Sequence, residues 1–321
     1  PALIQYNSEG HVNFGADSSF AGNKTSGSAN AADANGHGDF YYTPPTGALS
    51  LCTQNIPTPS IDSAAGNQPE DFFKTVTWTG TNNSTRTITV GTFLPDLIWI
   101  KNRTTAVSHT IYDSLRGYGD NKILHSDAAN AESAGGTSGY INSTSASNNS
   151  FTFGSTGSDL YYTDRTGNNY CAWCWRAGGA PSGATSATGS AKRINTSGTQ
   201  DDTSCSALAT AATSAGASNV ITPTLMSINQ KSGFSIIKYQ GNNTAGATIP
   251  HGLSSVDFIM LKNISSAQHW TVYHKSLTYT HYIDLDQTNA AGNDSSVWYA
   301  APTSSVFSFG ANPRGNENNA D

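Results

Sequence analysis

The chain has 321 residues, only 12% of them charged, and its 16 Lys and Arg against 22 Asp and Glu give a net charge of −6. Basic residues this sparse exclude the cationic surface that nucleic-acid binding requires, and apolar runs such as 97–100 are far shorter than the ~20 residues of a membrane span. Short polar side chains with 10% aromatics suit strands better than helices. We therefore expect an all-β protein of tandem β-sandwich domains with Gly/Asn/Ser-rich loops, without nucleic-acid partner or membrane insertion.

Residues 1–67 come first and are rich in Gly and Asn. They hold the short apolar patterns Val12-Asn-Phe14 and 39–42, followed by two prolines. We expect the closing strands of a separate β-unit and then a linker. Because the sequence begins at Pro1 without a methionine and stops in a polar segment, we interpret it as a piece of a longer protein.

An internal repeat is the main feature of the sequence. Residues 73–112 match residues 234–273 at a constant offset of 161, with 13 identities in 40 positions. The motif Phe-Thr-Phe-Gly at 151–154 returns as Phe-Ser-Phe-Gly at 307–310. One register held over this length predicts two copies of one domain in which only the loops differ in length.

Each copy has the pattern of short strands. Thr alternates with Val76 and Trp78, whereas 97–100 is a continuous apolar run of the kind found in strands buried on both faces. Turn residues separate such runs. The pattern predicts one β-sandwich over 68–180 and a second over 231–321.

Two regions break the symmetry of the repeat. The first copy continues into Tyr-Cys-Ala-Trp-Cys-Trp at 170–175, and the second reaches Asp321 before an equivalent strand. We expect the second copy to lack this last strand or to receive it from elsewhere. Between the copies, the Ser/Thr/Ala/Gly-rich segment 181–230 predicts a flexible linker or an ordered surface arm, with a short helix at 207–212.

Four motifs carry a resemblance to a known family. They are Pro-Asp-Leu-Ile-Trp-Ile-Lys-Asn-Arg at 95–103, Tyr-Asp-Ser-Leu-Arg-Gly at 112–117, Phe-Thr-Phe-Gly at 151–154 and Cys-Ala-Trp-Cys-Trp at 171–175. Together they resemble a tandem-repeat domain of tail-fibre or adhesin-like structural proteins from marine and freshwater bacteriophages. Residues 38–55 resemble the segment that precedes this repeat and often closes a SPRY-like β-unit. The second copy departs from the pattern, since Ile264 and His274 replace Arg103 and Asp113.

The resemblance implies a virion protein on the particle surface, with no established catalytic residues and no cofactor. The expected partners are further copies of the chain in a homo-oligomer such as a trimer, other virion proteins, and host-surface polysaccharide. Aromatic, Asn and Asp side chains on loops can stack on sugars and bond their hydroxyls. The alternatives are a capsid-decorating or filament-forming subunit and, less favoured, a polysaccharide depolymerase.

The candidate metal sites each have a simpler structural interpretation. Cys171 and Cys174 have C-x-x-C spacing but no second pair, and they lie in a strand-like run, so we expect them in the core. Asp284 and Asp286, with Asn289, Asn293 and Asp294 after them, offer oxygen ligands to calcium but lack EF-hand spacing. Their alternation with apolar residues predicts that Asp284 and Asp286 face solvent.

Catalytic patterns are weak. The sequence holds no G-x-S-x-G motif and few Glu residues to form a carboxylate pair. Asp96 and Asp257 occupy equivalent positions and are expected to bond local backbone amides. Lys-Asn recurs at 101–102 and 262–263, where a ligand-contacting loop competes with the favoured interpretation of a turn-supporting Asn and an edge-covering Lys. The histidines at 109, 125, 251, 269, 274 and 281 have no accompanying nucleophile motif. We therefore predict no catalytic, metal or cofactor residues and single out no ligand-binding residue.

Overall fold

The structure is a computed structural model that describes residues 14–25, 31–56, 68–181 and 189–321. It contains two compact units, Pro1–Asn67 and Gln68–Asp321. In the described part of the first unit a 3₁₀ helix spans Thr53–Asn55, and a single β-bridge pairs Ala31 with Phe40.

The closing strands predicted for the first unit are wrong for its described residues, and Val12 lies outside them. The carboxylate of Asp33 instead organises this segment by accepting hydrogen bonds from the backbone amides of Asn35, His37 and Ser50. Asp side chains that collect nearby amides stabilise turns at the expense of strand pairing.

The second unit is nearly all β. Its strands are β1 (Phe73–Thr79), β2 (Thr87–Thr89), β3 (Leu97–Asn102), β4 (Thr110–Asp113), β5 (Tyr140–Ser145), β6 (Ser150–Gly154), β7 (Asn169–Trp175), β8 (Ser190–Ile194), β9 (Gln200–Ser204), β10 (Leu225–Asn229), β11 (Phe234–Lys238), β12 (Ala247–Pro250), β13 (Phe258–Leu261), β14 (Thr271–His274), β15 (His281–Asp284), β16 (Gly292–Asn293) and β17 (Val306–Phe309). Two α-helices, α1 (Cys205–Ser214) and α2 (Pro313–Asn316), accompany them. The all-β prediction is confirmed. No helix in the described ranges is long and apolar enough to cross a membrane.

Two antiparallel sheets of the first copy contribute side chains to one buried core. One sheet has the order β1-β7-β3-β4 and the other the order β2-β6-β5. Their facing side chains form a continuous buried cluster that includes Ile98, Phe151 and Phe153. Within it the ring of Trp78 stacks on Tyr170 with centroids 5.4 Å apart, which ties β1 to β7. In β1 and β3 the period-two pattern of the sequence thus becomes one more buried and one less buried face.

Two local contacts of the first copy recur at equivalent positions of the second copy. The Nε1 of Trp78 donates to the carbonyl of Thr163 at 2.9 Å, and the hydroxyl of Tyr239 donates to that of Gly315 at 2.6 Å. A Cβ on Gly80 would lie 2.1 Å from a carbonyl oxygen, and one on its counterpart Gly241 would lie 2.2 Å from the equivalent oxygen. Glycine is therefore required in both copies at this close backbone approach.

The strands of the second copy are divided among three sheets. These have the orders β12-β17, β13-β14-β15-β16 and β11-β10-β8-β9. Trp298, Phe307 and Phe309 lie at the centre of its buried cluster.

The described part of the segment predicted as a linker or surface arm, residues 189–230, is folded into the last of these sheets. It supplies β8, β9 and β10, and β10 pairs in parallel with β8 and antiparallel with β11. The strand at 225–229 is buried at every position, and it was not predicted because the segment as a whole is rich in Ser and Thr. The predicted short helix is confirmed as α1, whose first turn is capped by the Ser204 hydroxyl accepting from the Ala207 amide.

Two cavity-forming substitutions at equivalent positions compare the packing of the two copies. Ile98 is fully buried, whereas Ile259, its equivalent 161 residues later, is only partly buried. We expect Ile98→Ala to lower the free energy of unfolding by about 3–4 kcal/mol, because the cavity lies between two packed sheets. Ile259→Ala should cost about half as much in urea titrations. An equal or larger loss at Ile259 would contradict the assignment of the tighter core to the first copy.

Candidate functional site

A groove runs between the two copies, and we call it the inter-repeat groove. Its lining residues include Leu97, Ile111, Leu115, Arg116 and Leu124 from the first copy and Ile237, Tyr239, Met260, Lys262, Asn263, Ile264, Trp270, Arg314, Glu317 and Asp321 from the second. The floor is apolar, because Ile111, Leu124 and Trp270 form a buried cluster joined by Leu97 and Met260. Such a concave, mainly apolar surface with a few polar groups is the usual form of a binding site.

Direct hydrogen bonds hold the two sides of this groove together. The indole nitrogen of Trp270 donates to the carbonyl of His125 at 2.7 Å. The amide of Glu132 donates to the carbonyl of Ile264 at 3.1 Å. Because these bonds flank a buried apolar cluster, the copies meet as packed surfaces.

The charged side chains of the groove are paired with one another. Arg116 contacts Asp113 at 2.5 Å and Glu132 at 2.9 Å, and Lys238 contacts Asp321 at 2.9 Å. Burial opposes the charge of Arg116, but its two carboxylate partners outweigh that effect and raise its pKa. Mutual pairing leaves little net field to attract a charged ligand.

Among the groove residues, Lys262 has a lowered pKa of the kind that catalytic amines have. Burial lowers its pKa to about 8, and lysines of this kind serve as bases or nucleophiles in some enzymes. Its ammonium group, however, donates to the carbonyls of Ala129, Asn263 and Gln268 at 3.2, 2.7 and 2.8 Å. All three N–H groups of the ammonium are therefore hydrogen-bonded. Because Ala129 belongs to the first copy, Lys262 links the two copies.

The recurring Lys-Asn pairs support turns. The Oδ1 of Asn102 accepts hydrogen bonds from the backbone amides of Thr104 and Thr105, both at 3.0 Å. The Oδ1 of Asn263 accepts from the amides of Ser265 and Ser266 in the same way. Lys101 donates to the carbonyl of Val107 at 2.7 Å. These contacts agree with the turn-supporting interpretation of the two motifs.

Asp96 and Asp257 are equivalent in sequence but differ in environment. The Oδ2 of Asp96 accepts from the amides of Ala177 and Gly179 at 2.8 and 3.2 Å, so its amide partners lie more than 80 residues away and the expectation of local ones is wrong. Burial raises the pKa of Asp96 to about 6, although these hydrogen bonds act in the opposite direction. Asp257 is exposed and pairs with Lys275 at 2.5 Å.

The possible calcium ligands are engaged elsewhere, and the prediction that Asp284 and Asp286 face solvent is wrong. Asp284 pairs with Arg314, and Asp286 accepts from the ring of His269 at 2.8 Å and from the amide of Trp270 at 3.1 Å. Both carboxylates are almost completely buried. Within the described ranges no group of three or more His, Cys, Asp or Glu could hold a metal ion.

Cysteine and histidine do not assemble a nucleophilic centre in the described part of the chain. Cys171 and Cys174 are buried free thiols on β7, as expected of core residues, and burial raises the pKa of Cys174 to about 12. The His269–Asp286 pair has the geometry of a base and its orienting acid, but no described hydroxyl or thiol hydrogen-bonds to the His269 ring. Triad chemistry requires that third group.

The other histidines make structural hydrogen bonds. The Nδ1 of His125 donates to the carbonyl of His109 at 2.8 Å, and the ring of His109 accepts from the indole of Trp99 at 2.9 Å. His251 is buried, which lowers its pKa, and its ring contacts the carbonyl of Thr303. His274 and His281 hydrogen-bond within their own turns.

A family model described as a domain of unknown function, DUF7483, matches the chain twice, over residues 68–199 and 186–321. The second match begins upstream of residue 231 and includes β8, β9 and β10. No curated protein and no solved structure matches the chain.

The raised pKa of Asp96 predicts a pH dependence of stability. A folded-state value near 6 against an ordinary value of 3.8 means that the folded protein binds this proton more tightly than the unfolded chain. The resulting stabilisation is complete below about pH 4 and is lost as the pH rises through about 6, by roughly 2–3 kcal/mol.

The measurement is the free energy of unfolding between pH 4 and 7 for the native chain and for Asp96→Asn. The amide can still accept from both backbone groups but does not titrate, so its profile should lack this loss. Asp257→Asn, at the equivalent exposed position, is the control and should follow the native profile. Parallel profiles for the native chain and Asp96→Asn would refute the assignment.

Proposed function

The chain belongs to the DUF7483 family, and from that premise we propose that it is a non-enzymatic structural protein of a bacteriophage virion. Within that class a tail fibre or adhesin fits best. The support for the virion role is the resemblance of motifs 95–103, 112–117, 151–154 and 171–175 to repeat domains of phage structural proteins. The particle surface is the corresponding location, and further copies of the chain and other virion proteins are the corresponding partners.

We also propose that each family domain is a β-sandwich. The pair of sheets that encloses a single core in the first copy supports this. In the second copy the equivalent core residues are present, and the strands around them are divided among three sheets.

The rigid joint between the copies carries the structural proposal. The buried cluster of Ile111, Leu124 and Trp270 spans both copies, and the Trp270–His125 hydrogen bond crosses it. Domains connected only by a flexible linker would not resist bending. Packed tandem domains do resist it, as a fibre or appendage requires.

Use of the polar groups supports the non-enzymatic part of the proposal. The carboxylates of Asp113, Asp284 and Asp286 are each paired with a cation or a histidine, and Asp96 is bonded to backbone amides. An enzyme would be expected to aim at least two such groups at a common point.

Host-surface polysaccharide is the proposed ligand of the adhesin. Tyr279 and Tyr299 of the second copy are 40% and 56% exposed, and exposed aromatic faces can stack on sugar rings. The low content of charged residues suits a neutral glycan. The capsid-decorating or filament-forming subunit is the alternative, and it would require contacts between copies in place of a glycan.

The glycan proposal is tested on an array of bacterial surface polysaccharides, with the oligomeric mass measured in parallel. We expect saturable binding without release of sugar fragments, and at least tenfold weaker binding for Tyr279→Ala or Tyr299→Ala. Tyr42→Ala, an exposed aromatic of the first unit, is the control. Fragment release would indicate a depolymerase, and absence of binding with large ordered assemblies would favour the decorating or filament role.

The rigid joint is tested by removing one hydrogen bond. Trp270→Phe keeps the apolar ring but leaves the His125 carbonyl without its donor, so we expect unfolding free energy to fall by about 1–2 kcal/mol. Trp298→Phe is a matched control, because the buried Nε1 of Trp298 has no hydrogen-bond partner. The ring volume lost is the same in both variants, so urea unfolding should show that the loss in Trp270→Phe exceeds the loss in Trp298→Phe. Equal losses in both variants would contradict the importance of the inter-copy bond.

A further inference from the structure

The sheet β1-β7-β3-β4 has a second face, which points away from the core of the first copy and which we call the outer face. Residues paired across antiparallel strands have their side chains on the same side of a sheet. Ile100 and Ala172 are paired and belong to the core, so their neighbours along each strand face outward. The outer face is formed by Thr75, Thr77, Trp99, Lys101, Cys171 and Trp173.

Two indoles lie at the centre of the outer face. Trp173 is paired with Thr75 on one side and with Trp99 on the other. The rings of Trp99 and Trp173 are 5.9 Å apart in an edge-to-face contact, and the indole nitrogen of Trp99 donates to the Nδ1 of His109 at 2.9 Å. Burial and the charge of Lys101 lower the pKa of His109, which favours the neutral ring that accepts this bond. Trp173 itself is only half-buried, so part of a ring that its neighbour holds in place is open to solvent.

Two cations border the indoles without an anionic partner. The ion pairs of the described residues involve neither Lys101 nor Arg103. Arg103 is exposed, and its amide donates to the carbonyl of Asn169 at 2.7 Å, which extends the register of β3 and β7 by one more row. Burial raises the pKa of the Cys171 thiol, and the charges of Arg103 and Lys101 act in the opposite direction. Their common effect on this thiol places both cations beside the middle of the outer face.

The outer face is positive, whereas the whole chain has a net charge of −6. Its carboxylate is that of Asp127 on the β4 side, which accepts from the amide of His109 at 3.2 Å. An unpaired guanidinium can bind a carboxylate through two parallel N–H bonds, and an exposed indole can cover the apolar side of a sugar ring. Thr75 and Thr77 are exposed next to the rings and offer hydroxyl groups. A uronic acid combines the carboxylate, the hydroxyls and the apolar ring side that these groups would recognise.

The second copy does not keep these side chains. Apolar residues stand at the equivalent positions 161 residues later, namely Ile236 for Thr75, Met260 for Trp99 and Ile264 for Arg103. All three line the inter-repeat groove, so the second copy uses this face for packing against the first. The first copy carries indoles and cations on the same face where it meets solvent. A face that only met solvent would gain no stability from half-buried indoles, because part of their apolar surface stays in water.

We propose that the outer face of the first copy is a binding surface for acidic polysaccharide, with a uronic acid ring stacked on Trp173 and its carboxylate bound by Arg103 and Lys101. The hydroxyls of Thr75 and Thr77 hydrogen-bond to the sugar hydroxyls. The proposal rests on the adhesin function proposed above and adds a second surface, for a charged sugar, to that of the exposed tyrosines.

Titration calorimetry of the full chain with oligogalacturonate tests the proposal. The native chain should bind saturably, and Trp173→Ala and Arg103→Ala should each weaken binding by roughly tenfold or more. Because Arg103 is exposed, its variant keeps the fold even if Trp173→Ala is destabilised. Lys275→Ala is the control, since it removes an exposed cation of the second copy and should bind as the native chain does. Equal affinity of the native chain and Arg103→Ala, or an equal loss in Lys275→Ala, overturns the proposal.

The methyl ester of the same oligosaccharide tests the role of the carboxylate. Esterification removes the charge and leaves the ring and the hydroxyls, so the native chain should bind the ester roughly tenfold more weakly than the acid. Arg103→Ala should bind the acid and the ester about equally. If the native chain binds the ester as tightly as the acid, the outer face recognises no carboxylate and the proposal is wrong.

The result is distinguishable from that of the adhesin proposal. Array binding that depends on Tyr279 or Tyr299, together with no binding of oligogalacturonate, would overturn the outer-face proposal and leave the adhesin proposal standing. Oligogalacturonate binding that requires Arg103, without array binding through the tyrosines, would support the outer face and overturn the tyrosine surface.

Discussion

The pairing of backbone edges around one central strand is the constraint on which the second unit depends. Strand β7 lies between β1 and β3, and its inward residues Tyr170, Ala172 and Cys174 fill the space between the two sheets of the first copy. Without it, two edges would remain unpaired and the ring of Trp78 would lose its stacking partner. A central strand thus satisfies hydrogen bonds and apolar burial at once, which neither sheet could do alone.

The second copy meets the same constraint with different parts. Strand β10 covers the far edge of β11, and the apolar face of the first copy shelters the groove beside β13. Segment 189–230 is therefore folded, since its strands satisfy the edge that a flexible linker would leave exposed. Packing of the copies through Trp270 follows from the same need, because the groove would otherwise expose a large apolar surface.

The sequence predicts contacts that repeat or that are local, and it misses those set by distant partners. Alternation around Trp78 and the constant offset of 161 were sufficient for strands and for equivalent positions. Asp284 and Asp286 alternate as solvent-facing residues would, yet Arg314 and His269 bury them from other parts of the chain. The amide partners of Asp96 likewise follow β7, so a local rule could not find them. The inter-repeat groove was not predicted, because its lining comes from both copies.

The two equivalent aspartates show what completing a sheet does to chemistry. Asp96 is buried because the chain leaving β7 folds back over it and presents the amides of Ala177 and Gly179. Asp257 stands at the equivalent position and remains exposed with Lys275. The same residue type in the same local sequence thus has a raised pKa in one copy and a solvated ion pair in the other.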